Sequence, residues 1–80
     1  MRLPRDVGGA DPAKKLERYG CQRTRQTGSH MRLTTQRGGE HHITIPRHDS
    51  LRLGTLSAIV REVADHLGKS RTELIEELFG

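Results

Sequence analysis

The stretch HMRLTTQRGGEHHITIP, residues 30–46, leaves little choice of fold. Apolar side chains fall at every second position on both sides of a glycine pair: Met31 and Leu33 before it, Ile43 and Ile45 after it. Period-two alternation predicts strands with one buried face, and Gln36-Arg37-Gly38-Gly39-Glu40 between them predicts the turn of a hairpin. Centring the turn on Gly38 places Leu33 opposite Ile43 and Met31 opposite Ile45. The same register sets Arg32 opposite Thr44 and His30 opposite Pro46, on the open face. A slip of one residue would bury polar groups, so the register is specified.

Helices flank this hairpin. Asp11-Pro12 predicts a helix start, with Asp11 as N-cap, and Gly20 predicts its left-handed end. Lys14, Lys15 and Arg18 take exposed positions on it. Residues 21–27 lack clear alternation and are assigned as a further strand. After a loop over residues 47–53, Leu56, Ile59, Val60, Val63 and Leu67 form one stripe of a helix from Thr55 to Leu67, closed by Gly68. Ser70 and Glu73 have the spacing of a capping box for a last short helix ending at Phe79. The expected fold is α+β: a three-stranded antiparallel sheet, helices on one face, in the order α-β-β-β-α plus a short C-terminal helix.

Eighty residues are expected to make one domain, residues 1–80, with a thin core in which Tyr19 and Phe79 are the only aromatic side chains. The lone Cys21 excludes an internal disulfide and fits a reducing cytoplasm. The longest apolar run, Ala58-Ile59-Val60, is too short for a membrane span. Charge is unevenly placed: residues 1–53 carry 11 Lys and Arg against 5 Asp and Glu, whereas residues 54–80 carry 3 against 5. A basic front suits a polyanion, although a solvated surface would show the same imbalance.

His30 is the first candidate for chemistry. RNA can be cleaved by its own 2′-hydroxyl if a base, an acid and cations surround the phosphate, and imidazole serves either proton role. Arg23, Arg25 and Arg32 lie close in sequence and could hold a phosphate. Gly28 and Ser29 would let the phosphate come near the backbone. Taken alone, a histidine beside a turn is more often a surface residue. His48 follows the strand end at Pro46 and is expected near Gly28, as a second proton-transfer group or a plain loop residue. His41 and His42 are adjacent on a strand and point to opposite faces, so they cannot chelate one ion together. Cys21, His30, His42 and His48 lack the paired short spacings of a zinc site, and no metal or cofactor is expected. Cys21 reads as a buried thiol. Residues 63–78 have the helix-turn-helix order of DNA readers, but Glu73, Glu76 and Glu77 would oppose phosphates.

These pieces together resemble a known family. Arg25-Gln26, Gly28-Ser29-His30, Ile45-Pro46-Arg47-His48 and Gly54-Thr55-Leu56 stand in the order seen in HicA-type toxins of toxin–antitoxin pairs, and the resemblance spans about residues 2–67. It implies a fold like the double-stranded-RNA-binding domain and the activity of an mRNA endonuclease (mRNA interferase) with His30 as catalytic residue. It also implies a HicB-type antitoxin that masks the site in a hetero-oligomer. Lys14 and Lys15 join Arg23, Arg25 and Arg32 as expected RNA contacts, and the balance on His30 then tips toward function. The alternative from the residues alone is a non-catalytic RNA- or DNA-binding module with a basic sheet face. Pro12 replaces an apolar helix residue of the family pattern and Gly8 replaces a capping Ser, which predicts a first helix that starts late or packs poorly.

Overall fold

The computed structural model describes residues 3–80. In chain order it contains α1 (Ala10–Lys15), continued by a 3₁₀ turn (Leu16–Tyr19), then β1 (Gln22–Gln26), β2 (His30–Thr35), β3 (His41–Pro46), α2 (Leu53–Leu67) and α3 (Arg71–Phe79). The strands form an antiparallel sheet in the order β1-β2-β3, so β2 is central and both neighbours are edges.

The hairpin adopts the register expected from its alternation. Leu33 pairs with Ile43, Met31 with Ile45, Arg32 with Thr44 and His30 with Pro46. Met31, Leu33, Thr35, Ile43 and Ile45 are buried on the helix side, with Ile45 wholly inaccessible. Thr35 is the one buried polar side chain among the described residues. Its hydroxyl donates to the Tyr19 carbonyl (2.9 Å) and accepts from the Arg37 N–H (3.1 Å). That satisfies a buried oxygen that would otherwise be costly.

Helix α1 begins two residues earlier than Asp11-Pro12 suggests. Gly9 is its N-cap, without a side-chain cap, and Asp11 instead pairs with Lys15 (3.2 Å) one turn on. The helix also packs well. Pro12, Ala13, Leu16 and Tyr19 are buried. Pro12 is tolerated because the first turn of a helix has no use for its missing N–H. Gly9 is needed for close approach, since a Cβ there would lie 2.0 Å from the Pro46 carbonyl oxygen. Gly8 and Gly9 thus do more than form an entry segment: they seat α1 against the end of β3.

Helix α2 buries Leu56, Ile59, Val60, Val63 and Ala64, while Leu67 is half-buried at its end. It starts at Leu53, two residues before Thr55. The Ser70–Glu73 capping box is formed in both directions (3.1 and 3.2 Å). Helix α3 buries Leu74, Ile75 and Leu78, so it is part of the core. It is pinned at Glu77, which accepts from the Tyr19 hydroxyl and from Lys69 (3.1 Å). Among the described residues, no helix is long and apolar enough to cross a membrane.

Candidate active site

The turn joining β1 to β2 is built by its own side chains. The Thr27 N–H donates to the His30 carbonyl (2.9 Å), and the Thr27 hydroxyl accepts from the N–H groups of Ser29 (3.3 Å) and His30 (3.0 Å). A threonine hydroxyl standing in for a backbone carbonyl holds such a loop tightly. It also frees the Thr27 carbonyl, which accepts from Arg47 Nη1 (3.2 Å). The Arg47 N–H in turn donates to the Ser29 carbonyl (2.8 Å). Arg47 therefore clasps the Gly28-Ser29-His30 turn from the far end of β3. The sequence placed Arg47 in the Ile45-Pro46-Arg47-His48 motif but gave no sign of this contact.

His30 is exposed, and its Nδ1 lies 2.9 Å from Ser29 Oγ. That contact orients the ring whichever of the two atoms carries the proton. Among the described residues, nothing bonds Nε2. His30 also sits on the rim of a cleft of about 460 Å³ between β3 and α2. Gly28 is exposed, and a Cβ there would meet nothing within 4 Å. Packing makes no demand for glycine at this position.

The basic residues divide into two groups, and a bulge in β1 divides them. Arg23 pairs with Leu33 and so faces the helices, whereas Arg25 pairs with Arg32 and faces the open side. Arg25 and Arg32 are directly opposite, and among the described residues neither has a carboxylate partner. Across the same open face runs a chain of hydrogen bonds, Thr24 to Thr34 (2.8 Å) to His42 (2.8 Å), with His42 also 3.3 Å from Glu40. It ties the three strands into a rigid polar surface.

On the helix side, Arg23 shares a cleft of about 430 Å³ with Lys14 and Glu17. It also borders a smaller one of about 200 Å³ with Arg47, His48 and Asp49. His48 is held through its backbone, its carbonyl accepting from the Gly9 N–H (2.9 Å). His30 and His48 thus line different clefts, with Arg47 linking the two loops. Lys15 is turned toward α3, where its ammonium lies 4.6 Å from the centre of the Phe79 ring. It stands apart from Lys14 and Arg23.

Cys21 is buried, and burial pushes its thiol pKa up, which leaves it a packing residue. His41 and His42 do face opposite ways: His41 bonds Glu62 on α2 (3.2 Å) while His42 lies on the open face. Among the described residues, no three His, Cys, Asp or Glu side chains gather as a metal site.

The family model described as the HicA toxin of bacterial toxin–antitoxin matches residues 9–64. The chain belongs to the HicA toxin family. The HicA match runs from Gly9, the N-cap of α1, to Ala64 in α2. It takes in all three strands, the Gly28-Ser29-His30 turn and Arg47, and it leaves α3 outside. Membership of the HicA family makes this a toxin domain of a toxin–antitoxin system. No curated protein and no solved structure matches the chain.

Proposed function

We propose that this HicA-family chain is a cytoplasmic mRNA endonuclease that works without metal, the toxin of a type II pair, with residues 1–80 acting as one domain. His30 is the catalytic residue. The 2′-oxygen attacks the neighbouring phosphorus, the bond from phosphorus to the 5′-oxygen breaks, and a 2′,3′-cyclic phosphate and a 5′-hydroxyl result. His30 Nε2 takes the proton from the 2′-hydroxyl or returns one to the leaving 5′-oxygen. His48, on the neighbouring loop, is the candidate for the complementary proton transfer. Arg25 and Arg32 hold phosphate on the open face, Arg23 and Lys14 extend the contact toward α1, and Lys15, on the α3 side, meets RNA separately. A HicB-type antitoxin neutralises the toxin by covering His30 in a hetero-oligomer.

The observation that carries this reading is His30 itself. It is exposed, it is oriented at Nδ1 by Ser29, and it sits on a turn clamped by both Thr27 and Arg47. A solvated surface histidine needs none of that. The facing guanidinium groups of Arg25 and Arg32 support a second reading, a binding module without catalysis. One experiment separates the two: RNA cleavage in EDTA by the protein and by its His30→Ala variant. Cleavage lost in a variant that keeps its circular dichroism supports the endonuclease. Absence of cleavage by the unaltered protein, with salt-sensitive RNA binding retained, selects the binding module.

A further inference from the structure

The cleft beside His30 differs in character from every basic surface on the molecule. Its walls are Ile43 and Pro46 from β3 and Ala58 and Ile59 from α2. Its polar lining residues, besides His30, are Thr44, Thr55 and Glu62. Among the described residues no Lys or Arg lines it, whereas Arg25 and Arg32 lie on the open face and Arg23 and Lys14 near α1. A carboxylate without a cation repels phosphate. An open cleft with apolar side chains, threonines and one strong acceptor suits the flat face and polar edge of a base. Its volume, about 460 Å³, falls within the range of small-ligand sites.

We infer that this cleft holds the nucleobase adjoining the phosphate at His30, and that Glu62 makes it prefer bases carrying an amino group over uracil. The inference rests on the endonuclease reading for the position of the phosphate. An ionised carboxylate only accepts hydrogen bonds. The amino groups of adenine, cytosine and guanine donate to it. The single ring N–H of uracil lies between two carbonyl oxygens, which the carboxylate repels.

Glu62 is held ready for this task. Its Oε2 is 3.2 Å from His41 Nε2. The His41 ring stacks on His66, with centroids 4.3 Å apart. His66 Nε2 donates to the carbonyls of Arg37 (2.9 Å) and Gly39 (3.1 Å) in the hairpin turn. The carboxylate is thus anchored through one oxygen, and among the described residues nothing bonds the other. Gly54, on the same wall, weakens the first turn of α2, yet a Cβ there would meet nothing within 4 Å. Space for a ligand accounts for it where packing does not.

The test is binding of short RNA to the His30→Ala full-length protein, in which the RNA survives. Hexamers of A, C and U are titrated by fluorescence anisotropy at low salt. The A and C hexamers are expected to bind about tenfold more tightly than U, the effect of one well-placed hydrogen bond. Glu62→Gln, whose amide can also donate to uracil oxygens, should bring the three within about threefold. Ala58→Phe, which fills the slot from an exposed position, should lower A and C to the level of U. Equal binding of the three hexamers to the His30→Ala protein overturns the inference, as does a preference that survives both substitutions. Cleavage by the unaltered protein with no base preference removes the base cleft and leaves the endonuclease. Base preference without cleavage removes the endonuclease and leaves the cleft as a base-binding site.

Discussion

Arg23 and Arg25 stand two residues apart on one strand and face opposite sides of the sheet, because the β1–β2 pairing slips between them. In a regular strand they would share a face. The bulge brings Arg25 directly opposite Arg32, and like charges placed that way oppose folding. Arg25→Thr should therefore raise stability by about 0.5 kcal/mol at low salt, and the gain should vanish at high salt. The same substitution should weaken RNA binding and reduce its salt slope by about one. Arg23→Thr should lack the stability gain. Urea denaturation at two salt concentrations checks the first effect and a salt titration of binding checks the second. A loss of stability in Arg25→Thr would mean that the two guanidinium groups do not repel in the free protein.

Gly9 and Gly28 should respond oppositely to alanine. At Gly9 the added methyl meets the Pro46 carbonyl oxygen at 2.0 Å, backbone against backbone, so something must move. Overpacking of that kind costs about 2–3 kcal/mol. At Gly28 the methyl meets nothing, and stability should stay within about 0.5 kcal/mol. If phosphate approaches that turn, Gly28→Ala should still lose most of its RNA cleavage. Thermal denaturation paired with a cleavage assay reads both, and full activity in Gly28→Ala would place the phosphate elsewhere.

Arg47 acts on His30 through the turn, as a positioning residue. Arg47→Ala removes the side-chain bond to the Thr27 carbonyl but keeps the backbone bond to Ser29. The fold should survive, while amide exchange at Thr27 and His30 accelerates. The expected kinetic signature is a fall in kcat of about tenfold, the worth of one hydrogen bond to a charged group, with KM little changed. Arg47→Lys, which can still reach a carbonyl with a cation, should recover part of the rate. Unchanged exchange in Arg47→Ala would show that Thr27 alone holds the turn.

The Tyr19–Glu77 contact should be visible in the pH dependence of stability. Burial, and then the hydrogen bond to Glu77, push the Tyr19 hydroxyl from 10.0 up to about 12. The folded state resists its ionisation, so this contribution is full below pH 10.0 and is lost as pH rises toward about 12. Glu77 moves the other way. The Tyr19 hydroxyl, then Lys69, hold it below 4.5, so its contribution is present above that value and lost as pH falls through the lower folded one. Tyr19 is the only tyrosine, so tyrosinate absorbance reports it alone. Glu77→Gln should lower the Tyr19 midpoint only in part, because burial is the larger cause, and should flatten the acid limb of stability. A midpoint at 10.0 in the folded protein would mean that α3 does not cover Tyr19.

Some of this protein was legible in its residues alone. Alternation around Gly38-Gly39 set the pairs Leu33–Ile43 and Met31–Ile45, because one face of the hairpin had to be apolar. The stripe from Leu56 to Val63 marked the buried side of α2. Gly20 and Gly68 adopt the left-handed conformation expected of helix ends, at φ 80° and 70°. The Ser70–Glu73 box likewise needed only local spacing. Each of these is settled within one element or across one short turn, where side-chain period and backbone preference decide. The tertiary structure alone decided the rest. Every residue of β1 is exposed, so no apolar alternation could betray the bulge that parts Arg23 from Arg25. Gly9 against Pro46, Arg47 on the turn of His30, and Glu62 held by His41 all join segments far apart in the chain. Such contacts depend on how closely two backbones approach once the core has packed. Periodicity along one segment says which face is buried, but not what that face will meet.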